Sequence, residues 1–231
     1  MTGDRIRRGL EAVRAAIADA CRAHGRAADA VQLLAVSKTH PAAAVREAWA
    51  AGQRAFGENR VQELVTKAAA LGDLTGLQWH LIGSLQTNKV RDLLAVPGLV
   101  LVHSLDRQRL ADELQRELVR RGARLDVLLQ IHATGEPTKH GCEQAAAAAL
   151  LEHVLAHCPA LGVRGLMAMG PLAGDPLPVF RRVVGLRDEL RAATGLPLSV
   201  LSLGMSGDLA AAVAAGSTLV RVGTAVFGAR D

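Results

Sequence analysis

The residue best placed for chemistry in this sequence is Lys38, which follows the apolar run at residues 31–36 and precedes Pro41. The run is typical of a buried strand, and a lysine at its end loses hydration that would stabilise the charge. Desolvation lowers the pKa of a lysine and provides a neutral amine near neutral pH. Such an amine forms Schiff bases, so the pattern indicates an anchor for an aldehyde cofactor. The alternative is a strand-end lysine that extends to water.

Two segments near the C-terminal end have the composition of a phosphate site. Ser206 precedes a helical pattern that ends at Gly216, so it can cap that helix while the free amides face an anion. Gly223 lets the backbone approach a phosphate closely, and Thr224 adds a hydroxyl. Taken singly, Ser206 could be a plain N-cap and Gly223 a tight turn.

Arg221 interrupts an apolar strand and by alternation shares a face with Gly223. An inward-facing arginine needs a partner. One candidate is a carboxylate such as Glu58, and the other is a pyridine nitrogen. Because arginine keeps its proton, a pyridine ring held there would stay unprotonated and would be a weak electron sink.

The remaining titratable residues give weaker signals. His80 is mid-strand, where a barrel-lining histidine bonded to its neighbours is favoured over a catalytic one. Lys89 and Lys139 are in predicted loops and could attract an anion, although solvated loop lysines are as common. Lys67 follows a helical pattern, where a solvated lysine is ordinary. No histidine or cysteine spacing predicts a metal site, and the three cysteines predict reduced thiols.

Eight β-rich runs alternate with helical patterns after an amphipathic N-terminal helix of about 25 residues. This order predicts a single α/β domain over residues 1–231, a (β/α)8 TIM barrel with an additional N-terminal helix. An open doubly wound sheet is the runner-up, but no Gly-x-Gly-x-x-Gly follows the first strand. In such a barrel the chemistry lies at the carboxyl ends of the strands. The predicted strands are 33–38, 55–59, 77–83, 99–105, 126–132, 163–169, 199–204 and 218–224.

Composition excludes several classes of function. The net charge is +5, but without a lysine/arginine block or an aromatic platform we expect no nucleic-acid binding. Without an apolar run of about 18 residues or an apolar leader we expect no membrane span and a cytoplasmic location. No apolar surface stripe is evident, which favours a monomer. The chain has no tyrosine and cannot supply a tyrosine acid or base.

With these residues assembled, the chain resembles the pyridoxal phosphate homeostasis proteins, the YggS/PROSC-type family, over nearly its whole length. Several long motifs in the same order carry the resemblance. They are AVSKT at 35–39, FGEN at 56–59, LQWHLIG at 77–83 with QTNK at 86–89, RGLMAM at 164–169, LSLGMS at 201–206 and AGSTLVRVGTAVFGAR at 215–230.

The resemblance implies a barrel like the N-terminal domain of alanine racemase, with pyridoxal 5'-phosphate on Lys38 as an internal aldimine. It implies a cofactor-binding set of Lys38, Asn59, Met205, Ser206, Arg221, Gly223 and Thr224, with His80 and Lys139 as accessory candidates. The serine, glycine and threonine would bind the phosphate, and Arg221 would face the ring nitrogen. The family often has a tyrosine after Gly-Glu-Asn, where this chain has Arg60.

The expected function is that of a carrier. It would hold the cofactor, contribute to vitamin B6 and amino-acid homeostasis, and release the cofactor to apoenzymes or amino acids without robust catalysis of its own. The alternative is a pyridoxal-phosphate enzyme such as a minimal racemase, which needs a second base opposite Lys38. Racemases take theirs from a tyrosine of a second domain, and this chain offers only His80 and Lys139. A third reading is a phosphate-binding barrel in which Lys38 is unmodified.

Overall fold

The computed structural model describes residues 2–136 and 140–228. Its strands are β1 (Gln32–Val36), β2 (Ala55–Glu58), β3 (Gln78–Leu81), β4 (Leu99–Leu105), β5 (Leu125–His132), β6 (Cys142–Glu143), β7 (Leu161–Ala168), β8 (Val200–Ser202) and β9 (Leu219–Val222). All pair in parallel, and eight of them close in the order β1-β2-β3-β4-β5-β7-β8-β9, with β9 pairing back to β1. The predicted TIM barrel is confirmed, and the alternative of an open doubly wound sheet is wrong, because the pairings β4–β5 and β1–β9 leave no edge in the ring.

Helices surround the barrel, and the first of them is the predicted N-terminal addition. It packs against α2 (Ala42–Ala50), α8 (Leu209–Ala215) and α9 (Thr224–Phe227), across the seam between β1 and β9. Its buried stripe recurs every three or four residues, and burial of each large aliphatic side chain contributes on the order of 1.5–3 kcal/mol. The helices are α1 (Thr2–Ala23), α2 (Ala42–Ala50), α3 (Val61–Ala70), α4 (Val90–Leu93), α5 (Gln108–Arg121), α6 (Ala147–His157), α7 (Leu177–Thr194), α8 (Leu209–Ala215) and α9 (Thr224–Phe227).

The barrel interior is apolar near its amino end and polar towards its carboxyl end. Leu101, Leu128 and Met167 form a small apolar cluster inside the ring. His103 lies two residues further along β4 than Leu101 and belongs to a buried polar layer. Because side chains alternate along each strand, residues two apart face the same side of the sheet. This alternation therefore determines which rim residues face the barrel mouth.

Strand ends differ from the prediction at two places that matter for the site. β1 ends at Val36, two residues before Lys38, and β9 ends at Val222. Thr224 begins the short helix α9 and does not continue the strand. The two-residue strand β6, which pairs with the end of β5, had no counterpart in the prediction. None of the described helices is both long and apolar enough to cross a bilayer.

Candidate functional site

Lys38 lies in a turn at the carboxyl end of β1 and is half-buried. The predicted strand over residues 33–38 included Lys38, but the observed strand β1 ends at Val36. Leu34 pairs with Arg221 inside the barrel, and alternation along β1 places Val36 on the same inner side. Lys38 follows Val36 by two residues and lies at the carboxyl end of the barrel, where the fold collects residues from successive strands.

Asn59 is the neighbour of Lys38 on the next strand. Val36 pairs with Gly57, so Lys38 and Asn59 each lie two residues beyond paired positions. Asn59 is half-buried, and its carbonyl comes so close to Gly83 that a Cβ there would lie 2.2 Å from the oxygen. Only glycine fits, and this close approach fixes the position of the Asn59 backbone at the rim.

The predicted phosphate segments follow β8 and β9 at the same rim. Met205 and Ser206 are exposed after β8, and Thr224 is exposed after β9. Gly223 is half-buried beside β1, and a Cβ on it would lie 3.0 Å from the carbonyl of Val36. The register thus brings Gly223 and Thr224 beside the strand that leads to Lys38.

Ser206 does not cap α8, contrary to the prediction. Asp208 occupies the N-cap position, and its Oδ1 accepts a hydrogen bond from the Met205 amide at 2.5 Å. Within the described residues, the amides of Ser206, Gly207 and Thr224 have no protein acceptor. These amides and the hydroxyls of Ser206 and Thr224 are the donors that an anion at this rim could use.

Arg221 is buried in the barrel, with 4% of its surface exposed. Its guanidinium donates to the Ser202 carbonyl at 2.5 Å, to the Ser202 hydroxyl at 2.7 Å and to the Ala168 carbonyl at 2.9 Å. The alternative ion pair with Glu58 is wrong, because none of these acceptors is a carboxylate. Burial lowers the pKa of Arg221 to about 10, with Asp208 opposing that effect, so the side chain stays charged near neutral pH. Three of its five N–H donors are used within the described part of the chain.

A hydrogen-bonded series continues from Arg221 across the interior. Ser202 Oγ lies 2.9 Å from His103 Nδ1, and His103 Nε2 lies 2.9 Å from His80 Nδ1. Because arginine only donates, the Ser202 hydroxyl hydrogen has its described acceptor in His103. That assignment makes His103 a donor to His80 and leaves both imidazoles neutral. The favoured interpretation of His80 as a barrel-lining histidine is confirmed.

Burial keeps both histidines neutral. It lowers the pKa of His80 to about 4. It lowers the pKa of His103 well below the ordinary value, and the neighbouring His80 and Arg221 act in the same direction. An uncharged imidazole pair can orient Ser202 and Arg221, but it does not serve as an acid near neutral pH.

Comparison with known proteins gives a family for this chain. The sequence-family model described as alanine racemase, N-terminal domain, matches residues 10–231. A pyridoxal phosphate homeostasis protein of Aquifex aeolicus is 42% identical over 230 residues, which cover 98% of this chain and 97% of the relative. The homeostasis protein of Pseudomonas aeruginosa is 45% identical over 226 residues, covering 98% and 96%. The chain belongs to the pyridoxal phosphate homeostasis protein family.

Solved structures agree with that family. PipY of Synechococcus elongatus, in a structure with PLP bound, aligns with a TM-score of 0.84 and 40% identity, covering 96% of this chain and all of that one (100%). Alanine racemase of Corynebacterium glutamicum aligns at 0.69 with 16% identity, covering 99% of this chain and 61% of that one. The second likeness shows the shared barrel alone.

Of the lysines that the structure describes, the buried one is Lys67, which the sequence interpretation placed in solvent. Lys67 is 5% exposed and bonds to Glu58 at 2.6 Å and to Glu63 at 2.8 Å. The prediction of a solvated lysine is therefore wrong. The signal was present in the sequence, because Lys67 lies three residues after Leu64, on the buried stripe of α3.

Other candidates lie outside the group around Lys38 or beyond the described residues. Lys139 lies outside the part of the chain that the structure describes. Lys89 is half-buried at the end of the short 3-10 helix Thr87–Lys89, 3.9 Å from a carboxylate oxygen of Asp92. All three cysteines are buried and unpaired, as the odd number predicted. Asp112, His153 and Cys158 approach one another within 4.8 Å on the outer helices, where a 2.6 Å bond between Asp112 and His153 accounts for the grouping.

Proposed function

We propose that this protein binds pyridoxal 5'-phosphate and carries it as an aldimine of Lys38. The observation that supports the proposal most strongly is the meeting of three different groups at the carboxyl end of the barrel. These are the half-buried amine of Lys38, the amides and hydroxyls after β8 and β9, and the buried guanidinium of Arg221. The register of β1 against β9 brings Lys38 and the residues after β9 onto neighbouring strands.

The donor set fits the chemistry of this cofactor. An aldehyde condenses with a primary amine, a phosphate accepts from amides and hydroxyls, and a pyridine nitrogen accepts from a donor that keeps its proton. Lys38 would supply the amine, Ser206 and Thr224 would donate to the phosphate, and Arg221 would donate to the pyridine nitrogen. Gly223, Met205 and Asn59 would shape the surrounding wall. PipY, at 40% identity, has been solved with PLP bound, which supports the same ligand here.

We further propose that the protein is a carrier without robust catalysis of its own. Arg221 opposite the ring nitrogen would leave the cofactor a weak electron sink. His80 and His103 are neutral and hydrogen-bonded, and the chain contains no tyrosine. A racemase needs two opposed bases, and within the described residues the barrel interior offers no second group that titrates near neutral pH.

The proposal includes the setting of the carrier. We propose one domain over residues 1–231, working as a monomer in the cytoplasm and releasing the cofactor to apo forms of enzymes that use it. Sedimentation of the purified chain tests the monomer. Transfer of the cofactor to an apoenzyme, followed by recovery of that enzyme's activity, tests the release.

Borohydride reduction tests the anchor. The protein is incubated with pyridoxal phosphate, reduced and digested, and the peptides are weighed by mass spectrometry. We expect the added mass on the peptide that contains Lys38, and none there in Lys38→Ala. A label on another lysine, or no label, would refute the proposal. Deuterium exchange at Cα of a panel of amino acids, lost in Lys38→Ala, would favour an enzyme instead.

A further inference from the structure

The turn that carries Lys38 has a backbone conformation that needs support. Thr39 has a φ of 68°, in the left-handed region. Side chains other than glycine adopt this region rarely, and for a β-branched residue it is an outlier. Such a conformation persists only where surrounding contacts determine it. The contacts beneath the turn therefore decide how Lys38 is presented.

The ammonium of Lys67 lies directly beneath this turn and uses all three of its donors. Nζ donates to the Ser37 carbonyl at 2.6 Å, to Glu58 Oε1 at 2.6 Å and to Glu63 Oε1 at 2.8 Å. A lysine ammonium has three N–H groups, so its hydrogen-bonding capacity is filled. Three acceptors from separate elements define one position for Nζ.

The carboxylates of Glu58 and Glu63, which accept from Lys67, also accept hydrogen bonds from the turn itself. The Ser37 hydroxyl donates to Glu58 Oε1 at 2.7 Å, and the Thr39 amide donates to Glu63 Oε1 at 2.5 Å. Both neighbours of Lys38 in the chain are thus attached to groups that Lys67 holds. We call Ser37, Thr39, Glu58, Glu63 and Lys67 the turn clamp.

The turn clamp and the barrel mouth lie on opposite sides of the sheet. Glu58 follows Gly57, whose missing side chain faces Leu34 inside the barrel, so Glu58 faces outward towards α3. Lys38 follows Ser37 on the turn at the carboxyl end of β1, and no bond joins its side chain to Lys67 among the described residues. Lys67 therefore acts on Lys38 through the backbone. It bonds directly to the Ser37 carbonyl, which belongs to the peptide bond that precedes Lys38, and it bonds to the two carboxylates that hold the Ser37 hydroxyl and the Thr39 amide.

We propose that Lys67 is a positioning residue for Lys38 and controls how fast its amine reacts with pyridoxal phosphate, without contacting that ligand. This inference rests on the proposed function. In the reaction, a C=N bond forms between Lys38 Nζ and the aldehyde carbon, and the aldehyde oxygen leaves as water with two hydrogens of the Lys38 amine. The rate of this step depends on the fraction of time that Lys38 Nζ spends in an orientation from which it can attack the aldehyde carbon.

Loss of Lys67 would change the orientation of the Lys38 amine, because the backbone of the turn that carries Lys38 would lose its support. The Ser37 carbonyl would lose its charged donor, and Glu58 and Glu63 would face each other without a cation between them. Thr39 would then leave the left-handed region, and the direction of Lys38 would change. A purely structural ion pair would behave differently, because its loss would lower stability and leave the reaction of the folded protein unchanged.

Stopped-flow absorbance separates these roles. Full-length protein is mixed with saturating pyridoxal phosphate, and the first-order rate of imine formation is recorded. The dissociation constant of pyridoxine 5'-phosphate, which has an alcohol in place of the aldehyde, is measured in parallel. For Lys67→Met we expect the first-order step to slow by about tenfold or more. The analogue should bind within about threefold of wild type, since its contacts remain.

Glu63 offers a matched pair of variants. Glu63→Gln keeps an acceptor oxygen for the Thr39 amide and for Lys67, so its imine step should be close to that of wild type. Glu63→Ala removes that acceptor and should slow the step as Lys67→Met does. If Lys67→Met does not fold, Glu58→Gln/Lys67→Met removes the unpaired buried carboxylate and carries the same expectation.

The outcomes are distinct. A slowed step with unchanged analogue binding supports positioning. A wild-type rate in folded Lys67→Met, or in Glu63→Ala, overturns it while leaving the proposed function intact. Equal loss of imine formation and analogue binding also overturns it, because the whole site would then be disturbed. If wild-type protein forms no imine at Lys38, the proposed function fails and this inference fails with it.

Discussion

Lowering the pH should destabilise this protein through its two buried histidines. Burial lowers the pKa of His80 from the ordinary value of 6.5 to about 4. The pKa of His103 is lowered in the same direction. In the unfolded chain both imidazoles regain their ordinary pKa values and bind protons below about pH 6.5. The contribution of the two neutral histidines to stability is therefore fully present above that pH and is lost progressively as the pH falls towards 4.

The magnitude follows from the His80 shift. Between about pH 7.5 and about pH 5 the difference in proton binding by this one side chain lowers the free energy of unfolding by roughly 2 kcal/mol. His103 adds to the loss. Glu58 opposes it, because burial raises the pKa of its carboxyl despite the nearby Lys67, and the folded state then binds a proton more readily than the unfolded state. A comparison of variants isolates the contribution of His80.

Urea unfolding at a series of pH values measures the effect, with the fluorescence of the two tryptophans, Trp49 on α2 and Trp79 on β3, as the reporter. In His80→Gln the side-chain amide oxygen can still accept from His103, but the group no longer titrates. The variant should lose about 2 kcal/mol less than wild type over the same pH range. His24→Gln, at an exposed site after α1, is the control and should follow wild type. Parallel curves for wild type and His80→Gln would refute the assigned linkage.

Four further substitutions, one of them a control, test the barrel and its rim. Gly83→Ala puts a Cβ 2.2 Å from the Asn59 carbonyl oxygen and should lower the free energy of unfolding by about 1–3 kcal/mol. The control Gly185→Ala, in α7, meets no atom within 4 Å and should raise the free energy of unfolding by up to about 1 kcal/mol. Chemical denaturation compares the two variants. Arg221→Gln leaves carbonyls of Ser202 and Ala168 without their charged donor and should cost about 2–4 kcal/mol in the same assay, and a cost below about 1 kcal/mol would contradict the described bonding. Thr224→Ala should weaken binding of pyridoxal phosphate about tenfold and of pyridoxal, which lacks the phosphate, hardly at all; an equal effect on both would exclude Thr224 from the phosphate.

The barrel could be predicted from the sequence because its signals are local and repeated. Apolar runs, helical periodicity and glycine punctuation recur eight times, and the predicted strand ends deviate by about two residues, as such ends do. Arg221 could be predicted to face inward, since alternation along a strand needs only the strand itself. Its partners could not be predicted, because Ser202 and Ala168 reach it through the register of three strands, which is a tertiary property.

The errors at the rim have similar causes. Two capping residues, Ser206 and Asp208, stand close together, and the backbone path after β8 decides that Asp208 is the N-cap. Lys67 was assigned to solvent from its residue type, although the stripe of α3 placed it on the buried face. Residue type is a weak predictor of burial when a charged side chain has three hydrogen-bond acceptors in the folded protein, as Lys67 does. Those acceptors come from three different parts of the chain, so the sequence around Lys67 does not reveal them.

Exposure across the rim supports a carrier under the proposed function. Arg221 is buried and bonded beneath the mouth, Lys38 is half-buried beside it, and Met205 is 42% exposed, with Ser206 and Thr224 also exposed. A cofactor held this way would have its ring end on rigid groups and its phosphate end near solvent. Catalytic sites gain from excluding water around the reacting atoms, whereas a site that releases its ligand gains from an accessible end. The arrangement therefore favours holding and transferring the cofactor over using it.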